Sequence, residues 1–187
     1  MDRRTQYTQN IIKETLIDLL SEKELTKITV SEICQIADIN RATFYRYYLD
    51  VYDLLEKIEE SFSTELIDAY TKEDITDYTV SNFAKALLKV FVENKKLVRI
   101  LFNNKTTTNF LDEILNIVYQ ICKEKWEKEL PGISVEDIEY ASIFLFNGAL
   151  GVINFWVKSD FEKDVDEIAL IIEQLAYFGL KKYIYNH

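Results

Sequence analysis

Thr29-Val30-Ser31-Glu32-Ile33-Cys34-Gln35-Ile36-Ala37-Asp38-Ile39-Asn40-Arg41-Ala42-Thr43-Phe44-Tyr45-Arg46-Tyr47-Tyr48 is the stretch from which the fold of this chain is read. Thr29 and Glu32 stand three apart, the spacing of a capping box: the threonine hydroxyl accepts from the amide of Glu32, and the glutamate reaches back to Thr29. Ile28 and Ile33 flank that start as a hydrophobic staple. A short helix therefore begins here and runs to about Ala37. Asp38-Ile39-Asn40 must then turn the chain, and Asp and Asn are the non-glycine residues that best tolerate a left-handed backbone. Asn40 caps a third short helix, from Arg41 to about Tyr48. Two short helices joined by a three-residue turn make a helix-turn-helix, with Ile33, Ala37, Ile39, Phe44 and Tyr48 as its small core.

Working outward, Ile12, Leu16, Leu19 and Leu20 recur at helical spacing and predict a bracing first helix over residues 5–22. A fourth helix starts at Asp50 and continues through Leu54, Leu55, Ile58, Phe62, Leu66 and Ile67. Five more are predicted over residues 79–93, 95–103, 108–129, 135–158 and 165–185. Ser134 with Asp137, and Asp164 with Glu167, start the last two, and Pro131-Gly132 breaks the chain before them. With only 4 glycines and 1 proline in 187 residues, a sheet has too few turn residues to close. The fold class is all-α, about nine helices. An N-terminal three-helix head of residues 1–50 is followed by a helical body of residues 51–187, with the fourth helix shared between them.

Several function classes drop out. The only histidine is His187, so no histidine triad, zinc site or histidine acid–base pair can form. No glycine-rich phosphate loop occurs. Catalytic residues: none; metal: none; cofactors: none; the chain is not expected to be an enzyme. Cys34 and Cys122 lack metal spacing and read as buried thiols of a reducing cytoplasm. No uninterrupted run of about 18 apolar residues and no N-terminal leader pattern is seen, so neither a membrane span nor secretion is expected. The net charge of −10 is unevenly placed. Residues 1–49 hold seven basic side chains (Arg3, Arg4, Lys13, Lys23, Lys27, Arg41, Arg46) and seven acidic ones (Asp2, Glu14, Asp18, Glu22, Glu24, Glu32, Asp38), net zero, so the whole excess lies in residues 50–187. An acidic body repels phosphate everywhere except at the head.

At 100° per residue, Arg41, Ala42, Tyr45 and Arg46 fall in one arc of about 140° on the third helix, opposite Phe44. That arc offers guanidinium groups, a small residue and a phenol; it fits either phosphate and base edges or an ordinary solvated face. The order of residues 29–48, with Leu54 beyond, resembles the DNA-binding signature of the tetracycline-repressor (TetR) family, over about residues 8–58. The resemblance implies a phosphate contact for Thr29, base-edge readers at Arg41, Ala42 and Arg46, and backbone contacts from Thr43, Tyr45 and Tyr47. It also implies a homodimer on an inverted-repeat operator and a small-molecule effector. Two departures stand out: the family's turn glycine is Asp38, and the lysine at the start of its fourth helix is Val51.

In the body, Gly148 and Gly151 each cost about 1 kcal/mol relative to alanine inside a helix. Their spacing of three suits a close helix contact, within the protomer or across a dimer. The family's final helices pair between subunits, which places Gly148, Gly151 and Phe155 at a dimer interface. Phe83, Phe91, Phe102, Phe110, Tyr119, Trp126, Tyr140, Phe144 and Phe155 are core residues or the lining of an apolar cavity, with Asn147 as a polar anchor. The expected function is a DNA-binding regulator, a repressor of nearby genes modulated by an apolar or cationic effector. The rival is a regulator of the same fold acting through a protein partner.

Overall fold

The computed structural model describes residues 3–72, 80–103, 110–129 and 134–184, with side chains outside 70–72, 80–81, 121–122, 124–129 and 179–184. The described residues form nine α-helices and no strand: α1 (Arg3–Glu22), α2 (Val30–Ile36), α3 (Arg41–Tyr45), α4 (Val51–Lys72), α5 (Val80–Glu93), α6 (Lys95–Asn103), α7 (Phe110–Glu129), α8 (Val135–Lys158) and α9 (Val165–Ile184), with a single 3-10 turn at Leu25–Lys27.

The start signals act largely as the sequence predicts. Thr29 Oγ1 accepts from the amide of Glu32 at 3.2 Å, Asn40 Oδ1 from Thr43 at 2.9 Å, Ser134 Oγ from Asp137 at 3.0 Å and Asp164 Oδ1 from Glu167 at 2.8 Å. Asp38 takes the left-handed backbone expected of the turn, at φ 51. Two details differ. The Glu32 carboxylate does not complete the capping box; it is taken by the ammonium of Lys23 at the end of α1. And α3 closes at Tyr45 rather than Tyr48, because the amides of Tyr47 and Tyr48 both turn back onto the Phe44 carbonyl.

The chain divides into two compact units. The first holds residues 1–65 and 94–108, the second residues 66–93 and 109–187, so α4 contributes to both and α6 belongs with the head. The core of the first unit is made of Ile12, Leu16, Ile33, Phe44 and Leu54, all fully buried, joined by Ile28, Tyr48, Val51 and Ile58. Each such side chain contributes about 1.5–3 kcal/mol through burial. Against α1 packs α6, through its buried face of Leu97, Val98, Ile100 and Leu101, and Lys96 bonds Asp18 at 2.8 Å beside them.

In the second unit the most extensive packing is between α5 and α9, fastened at its edge by Lys85 and Asp166 at 2.8 Å. The turn from α8 to α9 is tightly specified. Asp160 and Phe161 are both left-handed, at φ 61 and 60. Such residues are disfavoured by about 1–2 kcal/mol each. Phe161 is held there by its ring, 4.8 Å from Trp156, and by its amide on the Trp156 carbonyl at 3.0 Å. The indole N–H of Trp156 in turn donates to the Lys163 carbonyl at 2.8 Å.

By length and composition α8 is apolar enough to cross a membrane, with a mean hydropathy of 1.5 over 18 residues, of which 17% are buried in the protomer. Polar residues interrupt its apolar run.

Candidate nucleic-acid interface

A five-residue helix has too few internal bonds to hold itself, so α3 depends on what surrounds it. Phe44 is its fully buried anchor, with Tyr45 packed edge-on at 5.6 Å and Tyr48 beside it at the same distance. Anchoring by Phe44 turns the opposite side outward. Arg41, Ala42, Tyr45 and Arg46 are exposed, Tyr45 at 56%, while Thr43 and Tyr47 are half-buried at the flanks. The seven residues expected to meet DNA therefore all lie at the N-cap of α2, on α3 or in the turn after it, and most are open to solvent.

The start of α2 joins this surface. Thr29 stands at the N-cap, two residues before Ser31, whose hydroxyl accepts from a guanidinium nitrogen of Arg41. That contact ties the first residue of α3 to the first turn of α2. Ser31 was not singled out by the sequence reading; no spacing rule pairs residues ten apart across a turn.

The beginning of α4 is built differently from the family pattern. Val51 is 6% exposed, a core residue facing away from any ligand. Its amide end is occupied from within: Asp50 Oδ1 accepts from the Asp53 amide at 2.9 Å, and Asp53 Oδ2 accepts from the Leu49 amide at 2.7 Å. The Leu49 amide, followed by Lys57, holds the Asp53 carboxyl below the usual carboxylate range. Burial pushes the Tyr48 phenol up to about 12, and its hydroxyl has no hydrogen-bond partner among the described residues. Burial likewise raises the Cys34 thiol, which favours an inert core cysteine.

The residues expected to line a cavity differ in burial. Phe91 and Phe110 are buried; Phe83, Phe102 and Tyr119 are half-buried, with Phe102 on α6 in the first unit. The side chain of Trp126 lies outside the described residues. Tyr140, at 58%, Phe144, at 71%, and Asn147 are exposed, and the Asn147 amide donates to the Ile143 carbonyl at 2.8 Å. These three lie on the outward side of α8. Gly148, Gly151 and Phe155, 76% exposed, share that side. A Cβ built on either glycine would meet nothing within 4 Å among the described residues, so packing inside the protomer gives neither glycine a reason to be there.

Among the described residues no group of three or more His, Cys, Asp or Glu could hold a metal ion. Comparison with known proteins agrees with the geometry of the head and extends to the body. Residues 78–177 match a family model of the TetR type described as the transcriptional regulator C-terminal region. An uncharacterised HTH-type transcriptional regulator, YxbF of Bacillus subtilis (strain 168), is 35% identical over 72 residues, 38% of this chain and 19% of that protein. The HTH-type dhaKLM operon transcriptional activator DhaS of Lactococcus lactis (strain IL1403) is 34% identical over 101 residues, 54% of this chain and 51% of that one. The matched regions thus span about a fifth and about half of these relatives. Among solved structures, the dihydroxyacetone kinase operon activator DhaS superposes with a TM-score of 0.62 at 23% identity, over 93% of this chain and 96% of that one. A SmeT–triclosan complex does so with 0.62 at 17% identity, over 92% and 91%.

Proposed function

The chain belongs to the TetR family of transcriptional regulators, and on that premise we propose that it acts as a homodimer whose two α3 helices read an inverted-repeat operator. The observation that carries this reading is the outward face of α3. A buried phenylalanine fixes the helix, and two arginines, a tyrosine and an alanine are presented on its free side, next to the cap of α2. Arginine reads guanine O6 and N7 in the major groove, and the hydroxyls of Thr29, Thr43, Tyr45 and Tyr47 suit phosphate oxygens. Half-sites should lie about one helical turn, ~34–36 Å, apart. Retardation of the DNA upstream of the chain's own gene tests it. Discrete retardation at physiological salt, competed by the same duplex and not by random DNA, is expected; equal competition by both would overturn the reading.

The homodimer reading is supported by α8. Tyr140, Ile143, Phe144, Asn147, Gly148, Gly151 and Phe155 fall in one arc of about 140° on that helix, and all are exposed in the protomer. Leu170, Leu175, Tyr177 and Phe178 add an exposed apolar side to α9. A second copy would cover both, and the glycines would let its helix approach closely. The body is then the site of an apolar or cationic small-molecule effector; the fold shared with the SmeT–triclosan complex is compatible with one, and identifies none.

A second reading concerns the sign of regulation. Repression of nearby genes follows from an operator-bound dimer blocking polymerase. The similarity to DhaS, an activator by name, in both sequence and fold favours activation instead, through contact with a protein partner. Transcript levels of the neighbouring genes after deletion of this gene separate the two, since a repressor's targets rise and an activator's fall.

A further inference from the structure

At its C-terminal end α3 leaves carbonyls without helical partners, the usual condition of a helix end. Two residues beyond it, the Tyr47 carbonyl is claimed by a side chain from α4. Lys57, in the second turn of α4, donates from Nζ to the carbonyl of Tyr47 at 3.0 Å and to Asp53 Oδ2 at 3.0 Å. Its ammonium also lies 5.3 Å from the centre of the Tyr48 ring. The same Asp53 oxygen accepts from the Leu49 amide at 2.7 Å. Tyr47, Tyr48 and Leu49 are the residues that leave the recognition helix, so this pair grips three consecutive residues of the connection. The grip is more sheltered than a typical surface pair: the side chains of Asp53 and Lys57 are 17% and 43% exposed, against 62% and 71% for Asp18 and Lys96. Shelter matters because exposed pairs contribute little.

We propose that Lys57 is a positioning residue for DNA recognition: with Asp53 it clamps the exit of α3 onto α4 and thereby sets the angle at which Arg41, Tyr45 and Arg46 meet the groove. The cap at Asn40 fastens only the other end of α3. Without the clamp, a helix of five residues fastened at its start by the Asn40 cap and the Arg41–Ser31 bond, and in the middle by Phe44, can rock at its far end. The ammonium also neutralises the carboxylate of Asp53, which would otherwise face the phosphates from the start of α4. Loss of charge and loss of position have different signatures. Removing a cation weakens binding to every duplex alike, whereas tilting the helix weakens only binding that depends on base contacts.

The proposal rests on the DNA-binding reading above, and the experiment separates the two. Wild-type protein is used to select a duplex from a randomised pool, and affinities for that duplex and for a scrambled one of the same composition are measured for wild type, Lys57→Met and Lys57→Arg. Methionine keeps the stem over Tyr48 and removes the donor; arginine restores both donation and charge. The expected result is that Lys57→Met loses about 10-fold or more on the selected duplex, the range of a misplaced base contact, and far less on the scrambled one, while Lys57→Arg recovers most of the difference. In the free Lys57→Met protein the Leu49 amide should exchange faster, with the circular dichroism of the fold unchanged. Equal losses on both duplexes, or none, would overturn the clamp while leaving the regulator reading intact. Failure of the wild type to select any duplex would overturn the DNA-binding reading and, with it, any recognition for Lys57 to position.

Discussion

Among single residues, Tyr48 is the one the structure treats most harshly. It is 3% exposed, its hydroxyl has no partner among the described residues, and its phenol stays protonated up to about pH 12, so a buried donor is left unmade. An unsatisfied buried polar group costs about 1–3 kcal/mol. Tyr48→Phe keeps the ring against Phe44 and beneath Lys57 and removes that cost. It should raise stability by about 1 kcal/mol, or about 2–4 °C in melting temperature for a chain of this size, as read by thermal unfolding. A fall would mean that the hydroxyl has a partner in solution. The recognition face gives a second pair of expectations. Thr29→Ala, at a proposed phosphate contact, should weaken binding to selected and random duplexes by similar factors. Arg46→Ala should cost about 1–3 kcal/mol on the selected duplex and relax base preference at one position of each half-site. Competition against single-base variants of that duplex distinguishes the two outcomes. Most of this surface was legible in the sequence, because Phe44 fixes the phase of the helix and the phase fixes the free side. What was not legible were contacts between residues without a local spacing rule. Arg41 on Ser31 and Lys57 on the Tyr47 carbonyl each span ten residues across a turn, although Asp53 and Lys57 at i and i+4 were a visible hint.

Helices as units were mostly readable, because caps and apolar periodicity are local. Their ends were less so: α3 stops three residues before the expected Tyr48, where competition between the Phe44 carbonyl and continued helix decides the matter. The instructive element is α8. Its apolar character all round was visible in residues 144–156, yet which side a neighbour covers depends on tertiary packing. Ile138, Ser142, Trp156 and Val157 are the buried ones, leaving the glycine side open. In an isolated helix, Gly151→Ala should stabilise by about 1 kcal/mol, and nothing among the described residues would oppose the new methyl. If a second α8 seats there, the same substitution weakens self-association, and Gly151→Leu, with four heavy side-chain atoms at the contact, should shift the protein to monomer. Sedimentation at several concentrations measures the shift. Gly151→Leu protein that remains dimeric with an unchanged dissociation constant would place the interface elsewhere. Insertion into vesicles by the wild type would assign the face to lipid.

For the molecule as a whole, the distribution of charge orders the function. The head is neutral in sum, and the −10 of the chain lies beyond residue 49, so approach to DNA is favoured only head first. That same asymmetry bears on what the body can bind, since a cation gains and an anion loses in an acidic surround. An effector can alter operator affinity only through a difference in its own affinity for the DNA-competent and DNA-incompetent arrangements of the protein. Among the described helices only α4 has residues in both units, and it also carries Asp53 and Lys57 at its head end, so a change in its course would reach α3 directly. A coupling of about 1–3 kcal/mol changes operator affinity about 5–150-fold. Hydrophobic and cationic compounds that raise the melting temperature are therefore expected to include some that shift operator affinity within that range, and the same compounds should bind operator-bound protein with affinity changed by an equal factor, as linkage requires. Calorimetric titration of one such compound into free and operator-bound dimer measures both. Equal affinities in the two titrations, for every compound that stabilises the body, would show a body that binds ligands without reporting them to DNA. The regulator would then have to take its signal from a protein partner.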